Sequence, residues 1–592
     1  MKLARLLGPS DRPGPRRNLR ALAITAAFSF VAVSLVGYVN SGCVSLVVWS
    51  SNEKSQLLQD IAKKYNDTDP VVDRRCVTVK VSMVASGDGE QALTREWSAD
   101  DPTRPDVWWP AATTWVLLLK EHRAEKRLSE IVPAISQKLI QSPLVIAMPE
   151  HMADTLKRSG EVVGWTSLLK FAQDPQGWAR YDKPWGRFRL GKTNPAISTS
   201  GLHALIGTYN AAAATTEPLT ANDIRRNDVR AFVRGVELSV VHYGESVATY
   251  LENLWNADSL GDALGYVSAV AVEEKHVFDY NRGTPKSLLC DPVCPRLAPN
   301  EKLVALYPSE GSLIADHPYV VLNWVEPSHR EAALDFQRYL ESDAIQARFQ
   351  NEGFRDQNLN PGLVLQPPYF DRLQPRKVLR PPDPPLLAEI QASWSSLRKR
   401  AQVLFAIDVG RSMTALAPDQ SVTKLELAKR AASEAVALLE PDDEAGLWIF
   451  SGKPGEGAYR EILPISPLGV GKSELARRIE ALEAEGGTRQ LFATVLAAVD
   501  HVRSGLAPDR INAVVILGDG VDEGSRPSFF DVQSTLRRQP NDERVRVFTI
   551  SYSTAGSGQL RQLAEASLGA FYDAADPAKT ITKLMRDVIS NF

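Results

Sequence analysis

The residues with the most reactive side chains do not form a catalytic pattern. The eight histidines are scattered, and the chain has neither the H-E-x-x-H motif of zinc hydrolases nor the G-x-S-x-G motif of serine hydrolases. Gly471, Lys472 and Ser473 resemble the end of a phosphate-binding loop, but Ser466 occupies the position of the glycine that such a loop requires. The sequence therefore predicts a binding protein and not an enzyme.

The four cysteines are spaced for disulfide bonds. Cys43 begins one strand-like segment and Cys76 begins the next, with a helical segment between them. Because the starts of the two parallel strands in a right-handed β-α-β unit can be neighbours, a disulfide between them is expected. Cys290 and Cys294 share one short loop and could form a second bridge, since an even count suits an oxidising compartment. A zinc site is the alternative, but neither pair has the usual two-residue spacing or a nearby histidine.

Small hydroxyl side chains follow the strand-like segments of the first half of the chain. Strands at 44–49 and 77–83 flank a helical stripe at 57–65, and this alternation predicts a parallel α/β sheet. Ligands of such sheets bind beyond the carboxyl ends of the strands, where loops lead into helices. The candidate ligand-binding residues are Ser50, Ser51, Ser86, Ser198, Thr199 and Ser200. The alternative role for each of them is a helix N-cap.

Three segments of this region, 106–110, 142–147 and 191–201, resemble bacterial extracellular solute-binding proteins. The resemblance covers residues 43–356, implies a bilobal type 2 periplasmic binding fold, and adds Ser142 to the candidate ligand-binding residues. Sulfate- and molybdate-binding relatives hold anions with serine hydroxyls and N–H groups at helix starts, where the helix dipole is positive. A small anionic or polar solute is therefore expected. Glu310 would repel an anion if it faced the cleft.

Residues 357–400 form a linker that ends in a short helix predicted near 386–399. Eight prolines between 361 and 385 interrupt any periodic pattern, as is typical of a semi-extended spacer. The alternative is an irregular strap that packs along a domain surface. The apolar residues available for such packing are Leu363, Leu365, Tyr369 and Phe370.

The last region, residues 401–592, predicts a second doubly wound α/β sheet. Apolar strands at 403–408, 446–450, 513–517 and 545–550 alternate with amphipathic helices. Three motifs at strand ends and loops, 408–412, 486–488 and 519–520, together resemble a von Willebrand factor A (VWA) domain.

The VWA resemblance implies a metal-ion-dependent adhesion site (MIDAS) that binds Mg²⁺ or Mn²⁺, with an acidic group of a partner protein completing the shell. The residues that match the motif are Asp408, Ser412, Thr488 and Asp519. Oxygen ligands and retained water suit a hard cation. Gly410 replaces the first serine of the D-x-S-x-S motif, so metal affinity is expected to be lower. The alternative is that no metal binds, that Asp408 caps the end of a strand, and that Thr488 and Asp519 belong to turns.

The N-terminal segment predicts one membrane anchor. Six cationic residues within positions 1–20 precede an uncharged stretch at 21–39. The length of this stretch approaches the roughly 30 Å of a bilayer core, and the basic flank places the rest of the chain outside the cytoplasm. A cleaved signal peptide is the alternative, although no A-x-A site follows. Cys43 also follows Ser41 and Gly42 as a lipoprotein cysteine would, but Asn40 replaces the aliphatic residue of that motif.

Composition excludes several classes of protein. A chain of 592 residues exceeds what one hydrophobic core supports, so several domains are expected. The net charge is -3 and the only dense basic cluster lies in the first twenty residues, so no nucleic-acid partner is expected. The sequence predicts a membrane-anchored extracytoplasmic binding protein whose VWA face engages a protein through a metal. The alternative is a solute-capture receptor for uptake or sensing in which the VWA domain is a metal-free scaffold.

Overall fold

The computed structural model describes residues 42–285, 297–418, 421–451, 457–574 and 581–592. The predicted membrane span at 21–39 and the predicted bridge between Cys290 and Cys294 therefore lie outside the described residues. Within the described ranges, no helix has both the length and the apolar character needed to cross a bilayer.

The strands are β1 (Val44–Ser50), β2 (Val71–Val72), β3 (Arg75–Met83), β4 (Val107–Trp109), β5 (Gln137–Lys138), β6 (Ser142–Pro149), β7 (Leu190–Thr193), β8 (Val240–Gly244), β9 (Ala269–Glu273), β10 (Leu303–Leu306), β11 (Ile314–Ala315), β12 (Pro318–Val321), β13 (Arg400–Asp408), β14 (Glu444–Phe450), β15 (Tyr459–Pro467), β16 (Arg510–Gly518), β17 (Arg546–Ser551) and β18 (Phe571–Asp573). The α-helices are α1 (Asn52–Asn66), α2 (Ser86–Leu93), α3 (Thr113–Glu125), α4 (Glu150–Arg158), α5 (Trp165–Gln173), α6 (Thr199–Ala213), α7 (Ala221–Arg225), α8 (Asn227–Leu238), α9 (Val247–Ser259), α10 (Ala263–Tyr266), α11 (Glu274–Asn281), α12 (Pro327–Glu341), α13 (Asp343–Asn351), α14 (Pro384–Leu397), α15 (Lys424–Leu438), α16 (Leu468–Glu480), α17 (Leu491–Ser504), α18 (Phe529–Arg537), α19 (Ser557–Ala566) and α20 (Ile581–Ile589).

The first two sheets form two lobes. Lobe 1 contains the sheet β2-β3-β1-β4-β12-β5, in which β1 lies parallel to β3 and β4. Lobe 2 contains the sheet β10-β6-β9-β7-β8, with β11 paired to β6. The chain builds the first part of lobe 1, crosses into lobe 2, and returns to lobe 1 at β12. This arrangement confirms the predicted bilobal α/β fold.

A disulfide joins Cys43 to Cys76 at the start of β1 and β3, with a Cα–Cα distance of 4.6 Å. The parallel register that pairs Val44 with Val77 brings the two cysteines together, so the predicted bridge is present. A sulfur held in a disulfide is not available for the thioether link of a lipoprotein, and this contact therefore argues against a lipidated Cys43.

The segment between lobe 1 and the C-terminal domain packs against the protein. Leu365 and Phe370 are buried in the core of lobe 2, whereas Leu363 is 79% exposed. This favours the strap over the free spacer. The helix α14 that follows contacts α3 of lobe 1 as well as α6 and α8 of lobe 2. The short helix predicted near 386–399 is therefore an element that touches both lobes.

The C-terminal sheet has the order β15-β14-β13-β16-β17-β18, with an antiparallel edge strand β15 and parallel strands otherwise. Its central strands are continuous apolar runs because helices cover both faces. The helices α15, α16 and α20 pack on one face, and α17, α18 and α19 pack on the other. The predicted doubly wound sheet is confirmed.

Candidate functional site

A narrow cleft of about 50 Å³ lies between the two lobes. Lobe 1 contributes the loops that follow β1 and β3, and lobe 2 contributes the starts of α6 and α9 and the end of β9. Strand ends and helix starts of both lobes therefore meet at this cleft, as expected for a sheet of this type.

Five of the seven candidate ligand-binding residues line the cleft, namely Ser51, Ser86, Ser198, Thr199 and Ser200. Ser50 and Ser142 lie outside the lining. The hydroxyl of Ser50 donates to the Ser51 carbonyl over 3.3 Å within the fully buried end of β1. The hydroxyl of Ser142 accepts the backbone N–H of Lys275 over 3.1 Å at the first turn of α11, which is a capping role.

Most of the cleft hydroxyls already have structural partners. Ser86 accepts the N–H of Ala111 over 3.0 Å, and Thr199 accepts the indole N–H of Trp115 over 2.8 Å. Ser198 accepts the hydroxyl of Thr193 over 2.8 Å. Ser200 differs, because its buried Oγ has no hydrogen-bond partner among the described residues. Ser200 is therefore the hydroxyl of this group that is free to meet a ligand.

Three carboxylates line the same cleft and were not among the predicted site residues. They are Glu53, Glu245 and Glu273. Burial raises the pKa of Glu53, but the charge of Lys54 together with His317 and the hydroxyl of Ser51 outweighs burial and holds this pKa at about 2. Burial and the neighbouring charge of Glu53 raise the pKa of Glu273 well above its ordinary value. Glu53 is therefore ionised and Glu273 is neutral in the free protein, and no lysine or arginine is among the described lining residues, which does not suit an anion.

A sequence signal existed for one of these acids. Glu273 ends the apolar run of β9, just as Asp408 ends β13, and carboxylates at strand ends point to a site in parallel sheets. Glu310 is not among the residues that line the cleft, so it is not in a position to repel an anion there. Its carboxylate accepts the N–H groups of Trp165 and Thr166 over 3.2 and 3.0 Å and caps α5.

The C-terminal domain contacts the cleft loops of both lobes. Arg586 in α20 forms an ion pair with Asp88 in α2 of lobe 1, two residues after Ser86. In lobe 2, Asn194 Nδ2 donates to Ser590 Oγ over 3.1 Å. The hydroxyl of Tyr572 donates to Glu245, at the start of the cleft loop before α9, over 2.8 Å. Residues of the C-terminal domain therefore bond to elements of both lobes that adjoin the cleft.

The predicted metal ligands lie at the carboxyl ends of the C-terminal sheet. Asp408 ends β13 and Asp519 follows the adjacent strand β16, and both are buried. Ser412 lies on the turn Arg411–Thr414 after β13, and its buried Oγ has no partner among the described residues. Thr488 is exposed on the loop before α17. The two aspartates are therefore brought together, whereas Thr488 faces solvent.

An arginine occupies the position beside these aspartates. Arg489 Nη1 donates to Asp519 Oδ2 over 3.2 Å, and the same guanidinium forms an ion pair with Glu523. A Cβ placed on Gly410 would lie 3.0 Å from Ser451 Cβ, 3.1 Å from Asp408 Oδ1 and 3.4 Å from Arg489 Cγ, so the arginine stem borders the position of the missing serine. In the described ranges, no group of three or more His, Cys, Asp or Glu side chains is arranged to hold a metal. With a cation of the chain already on Asp519, these residues do not fit Mg²⁺ or Mn²⁺.

Comparison with protein families decides what the two-lobed unit is. Residues 46–355 match the family of bacterial extracellular solute-binding proteins. The chain belongs to this family. Residues 402–587 of this solute-binding protein match the von Willebrand factor type A domain and form its VWA domain. No curated protein sequence matches the chain.

Solved structures similar to this solute-binding protein show low sequence identity. The periplasmic binding protein AfuA from Actinobacillus pleuropneumoniae is 14% identical, with a TM-score of 0.40 over 61% of this chain and 100% of its own. A putative extracellular solute-binding protein from Bordetella parapertussis is 12% identical, with a TM-score of 0.38 over 60% and 97%. A von Willebrand factor type A protein from Catenulispora acidiphila is 22% identical, with a TM-score of 0.26 over 33% and 42%.

Proposed function

We propose that this protein is an extracytoplasmic solute receptor, tethered by the predicted span at 21–39, whose VWA domain responds to the state of the cleft. The observation that carries the proposal is that the VWA domain is bonded to cleft loops of both lobes. These contacts join Arg586 to Asp88 in lobe 1 and Tyr572 to Glu245 in lobe 2.

The mechanism follows from the way two-lobed binding proteins work. A solute that contacts both walls of a cleft favours one relative position of the lobes and shifts the population toward it. Here α14 packs against both lobes and the VWA domain is bonded to both, so a change in lobe position must be accommodated at the VWA contacts. Solute capture and the state of the VWA domain are thereby linked in both directions.

The VWA domain is proposed to act without a bound metal. Arg489 already supplies a positive charge to Asp519. Arg411 and Thr488 are exposed on the neighbouring loops, where they are accessible to a partner protein. A partner's acidic group would then meet an arginine in place of a metal ion, in a charge-assisted hydrogen bond.

A thermal-shift experiment on the detergent-solubilised full-length chain tests solute binding. The panel contains small amines, polyols, carboxylates and inorganic oxyanions. At least one solute is expected to raise the melting temperature, because a ligand that binds only the folded state stabilises it. The shift should disappear in Ser200→Trp, which fills the cleft, and persist in Ser159→Trp, which alters an exposed residue after α4. A shift that survives in Ser200→Trp, or no shift across the panel, contradicts the proposal.

Hydrogen exchange tests the link to the VWA domain. The solute that stabilises the chain is expected to change amide protection in α20 and at Ser590, because these groups contact the cleft loops. Arg586→Ala should reduce this change and retain solute binding. Unchanged protection in α20 on solute binding would show that the VWA domain does not respond to the cleft.

A further inference from the structure

The cleft contains a buried carboxyl group that the protein itself does not satisfy. Glu273 is 1% exposed, and its Oε2 has no hydrogen-bond partner among the described residues. An unpaired polar group in a protein interior is costly, and natural structures contain few of them. A ligand that donates a hydrogen bond would satisfy Glu273.

Two further side chains that line the cleft also have a buried polar atom without a hydrogen-bond partner among the described residues. Ser200 is 1% exposed and His276 is 6% exposed, and neither Ser200 Oγ nor His276 Nδ1 has a partner among the described residues. Both side chains line the cleft together with Glu273. Three unsatisfied polar atoms on the walls of one cavity indicate a ligand-binding site rather than an isolated packing fault.

The charge of the lining defines the kind of ligand. Glu53, Glu245 and Glu273 contribute carboxyl groups, and no lysine or arginine is among the described residues that line the cleft. Lys54 lies behind this wall, where its Nζ is 3.3 Å from Glu53 and 3.2 Å from His317 Nδ1, and it is almost fully buried. An anion would therefore meet acidic groups without a cationic partner, whereas a cation would be attracted.

We propose that the cleft binds a small organic cation, specifically a primary amine, whose ammonium group donates hydrogen bonds to Glu273 and Ser200. This inference rests on the proposed solute-binding function and names the ligand class. The ammonium group supplies three donors and no acceptor, which matches a carboxyl group and a hydroxyl that lack donors. Its positive charge would also lower the raised pKa of Glu273, so that this group becomes a carboxylate in the complex. The cleft volume of about 50 Å³ limits the closed form to a ligand of a few heavy atoms.

Three probes of similar size test the ligand class by calorimetric titration of the full-length chain. Ethanolamine carries the ammonium group, ethylene glycol has a hydroxyl in its place, and glycolate has a carboxylate in place of the aminomethyl group. Ethanolamine is expected to bind at least about tenfold more tightly than ethylene glycol, because a charge-assisted hydrogen bond is stronger than a neutral one. Glycolate is expected not to bind.

Variants connect binding to the proposed residues. Glu273→Gln keeps the size of the side chain but removes its charge, and affinity for ethanolamine should fall at least about tenfold. Ser200→Ala should weaken binding by a smaller factor and serves as a second variant should Glu273→Gln fail to fold. The matched control is Glu331→Gln, which neutralises an exposed carboxylate on α12 of lobe 1 and should leave affinity unchanged.

The possible results separate this inference from the solute-binding function. Tight binding of glycolate or ethylene glycol that Ser200→Trp abolishes would retain a solute receptor but overturn the cationic ligand class. Binding of ethanolamine that is equal in Glu273→Gln and Glu331→Gln would overturn the assigned residues. Absence of binding by all three probes would overturn the small-amine proposal, while the wider thermal-shift panel decides whether the cleft binds a solute.

Discussion

The hydroxyl of Tyr572 in the VWA domain donates a hydrogen bond to the carboxylate of Glu245 at the cleft, over 2.8 Å. Tyr572 is buried, and its hydroxyl oxygen also accepts Asn591 Nδ2 over 2.8 Å. Burial and the neighbouring carboxylate Glu245 raise the pKa of Tyr572 well above its ordinary value, so the phenol stays a neutral donor. The contact ties the last strand of one domain to the cleft wall of the other.

Tyr572→Phe is expected to lower the free energy of unfolding by about 1.5 to 3 kcal/mol, the range for a hydrogen bond to a charged group. Denaturation by guanidinium chloride measures the change. Tyr459→Phe is the control, because Tyr459 is 38% exposed and its ring stacks on Trp448, a contact that phenylalanine retains. Equal losses in both variants would show that the contact with Glu245 contributes no stability.

Arg489→Ala is expected to create weak Mn²⁺ binding that the wild-type chain lacks. Removal of the guanidinium leaves Asp408 and Asp519 close together, with Lys424 Nζ, 4.0 Å from Asp519 Oδ2, as the more distant cationic neighbour, and two carboxylates of this kind attract a hard divalent ion. Calorimetric titration with Mn²⁺ provides the measurement, and Arg411→Ala, on an exposed arginine of the same rim, serves as the control. Wild-type heats of Mn²⁺ binding that vanish in Asp408→Ala would instead restore the metal-dependent site.

Elements with local signals were predictable from the sequence. The strands β13 and β16 are buried on both faces, so each is a continuous apolar run that can be recognised without knowing its neighbours. The bridge between Cys43 and Cys76 followed from the position of both cysteines at strand starts. These inferences needed only periodicity and the handedness of one β-α-β unit.

The chemistry of the two sites depends on contacts between distant residues and was therefore missed. The low pKa of Glu53 depends mainly on Lys54, and a further contribution comes from His317, which belongs to the returning part of lobe 1. Arg489 reaches Asp519 because its loop runs toward the end of the neighbouring strand, and the sequence does not reveal this course. The motif alone therefore predicts a metal beside Asp519. The hydroxyl residues before helices remain predicted ligand contacts, and the hydrogen bonds that several of them form within the fold are not visible in the sequence.

A buried ion pair links lobe 2 to α14. Lys192 and Glu237 form this pair, both fully buried, and Glu237 also accepts Trp394 Nε1 over 3.2 Å. Lys192→Met should destabilise the chain by about 3 to 5 kcal/mol, because it leaves a buried carboxylate without its cation. Arg226→Met removes a solvent-exposed pair and should leave the unfolding midpoint unchanged. A small effect of Lys192→Met on guanidinium denaturation would mean that Glu237 is satisfied by its remaining donors.

Buried histidines make the fold sensitive to acid. Burial lowers the pKa of His203 and of His276 to about 4 and lowers the pKa of His242 and of His317 well below the ordinary value for histidine. Between pH 6.5 and pH 4 the unfolded chain therefore binds more protons than the folded chain, and stability is lost as pH falls through this window. For His203 alone the loss at pH 4 is about 3 kcal/mol. Between pH 6.5 and pH 4 the free energy of unfolding should therefore fall by about 3 kcal/mol less in His203→Gln than in the wild type. An equal fall in both proteins would show that His203 is protonated in the folded state.

The bridge between Cys43 and Cys76 is expected to contribute to stability through the denatured state. It closes a loop with a sequence separation of 33 residues, for which the chain-entropy relation gives about 4 kcal/mol. Replacing both cysteines by alanine should lower the free energy of unfolding by that amount in denaturant titrations. Cys43→Ala alone should cost as much and should also expose one new thiol, at Cys76, to a thiol reagent. Titration of free Cys43 and Cys76 thiols in the unreduced wild-type chain would show that the bridge does not form, and would leave Cys43 available for other chemistry.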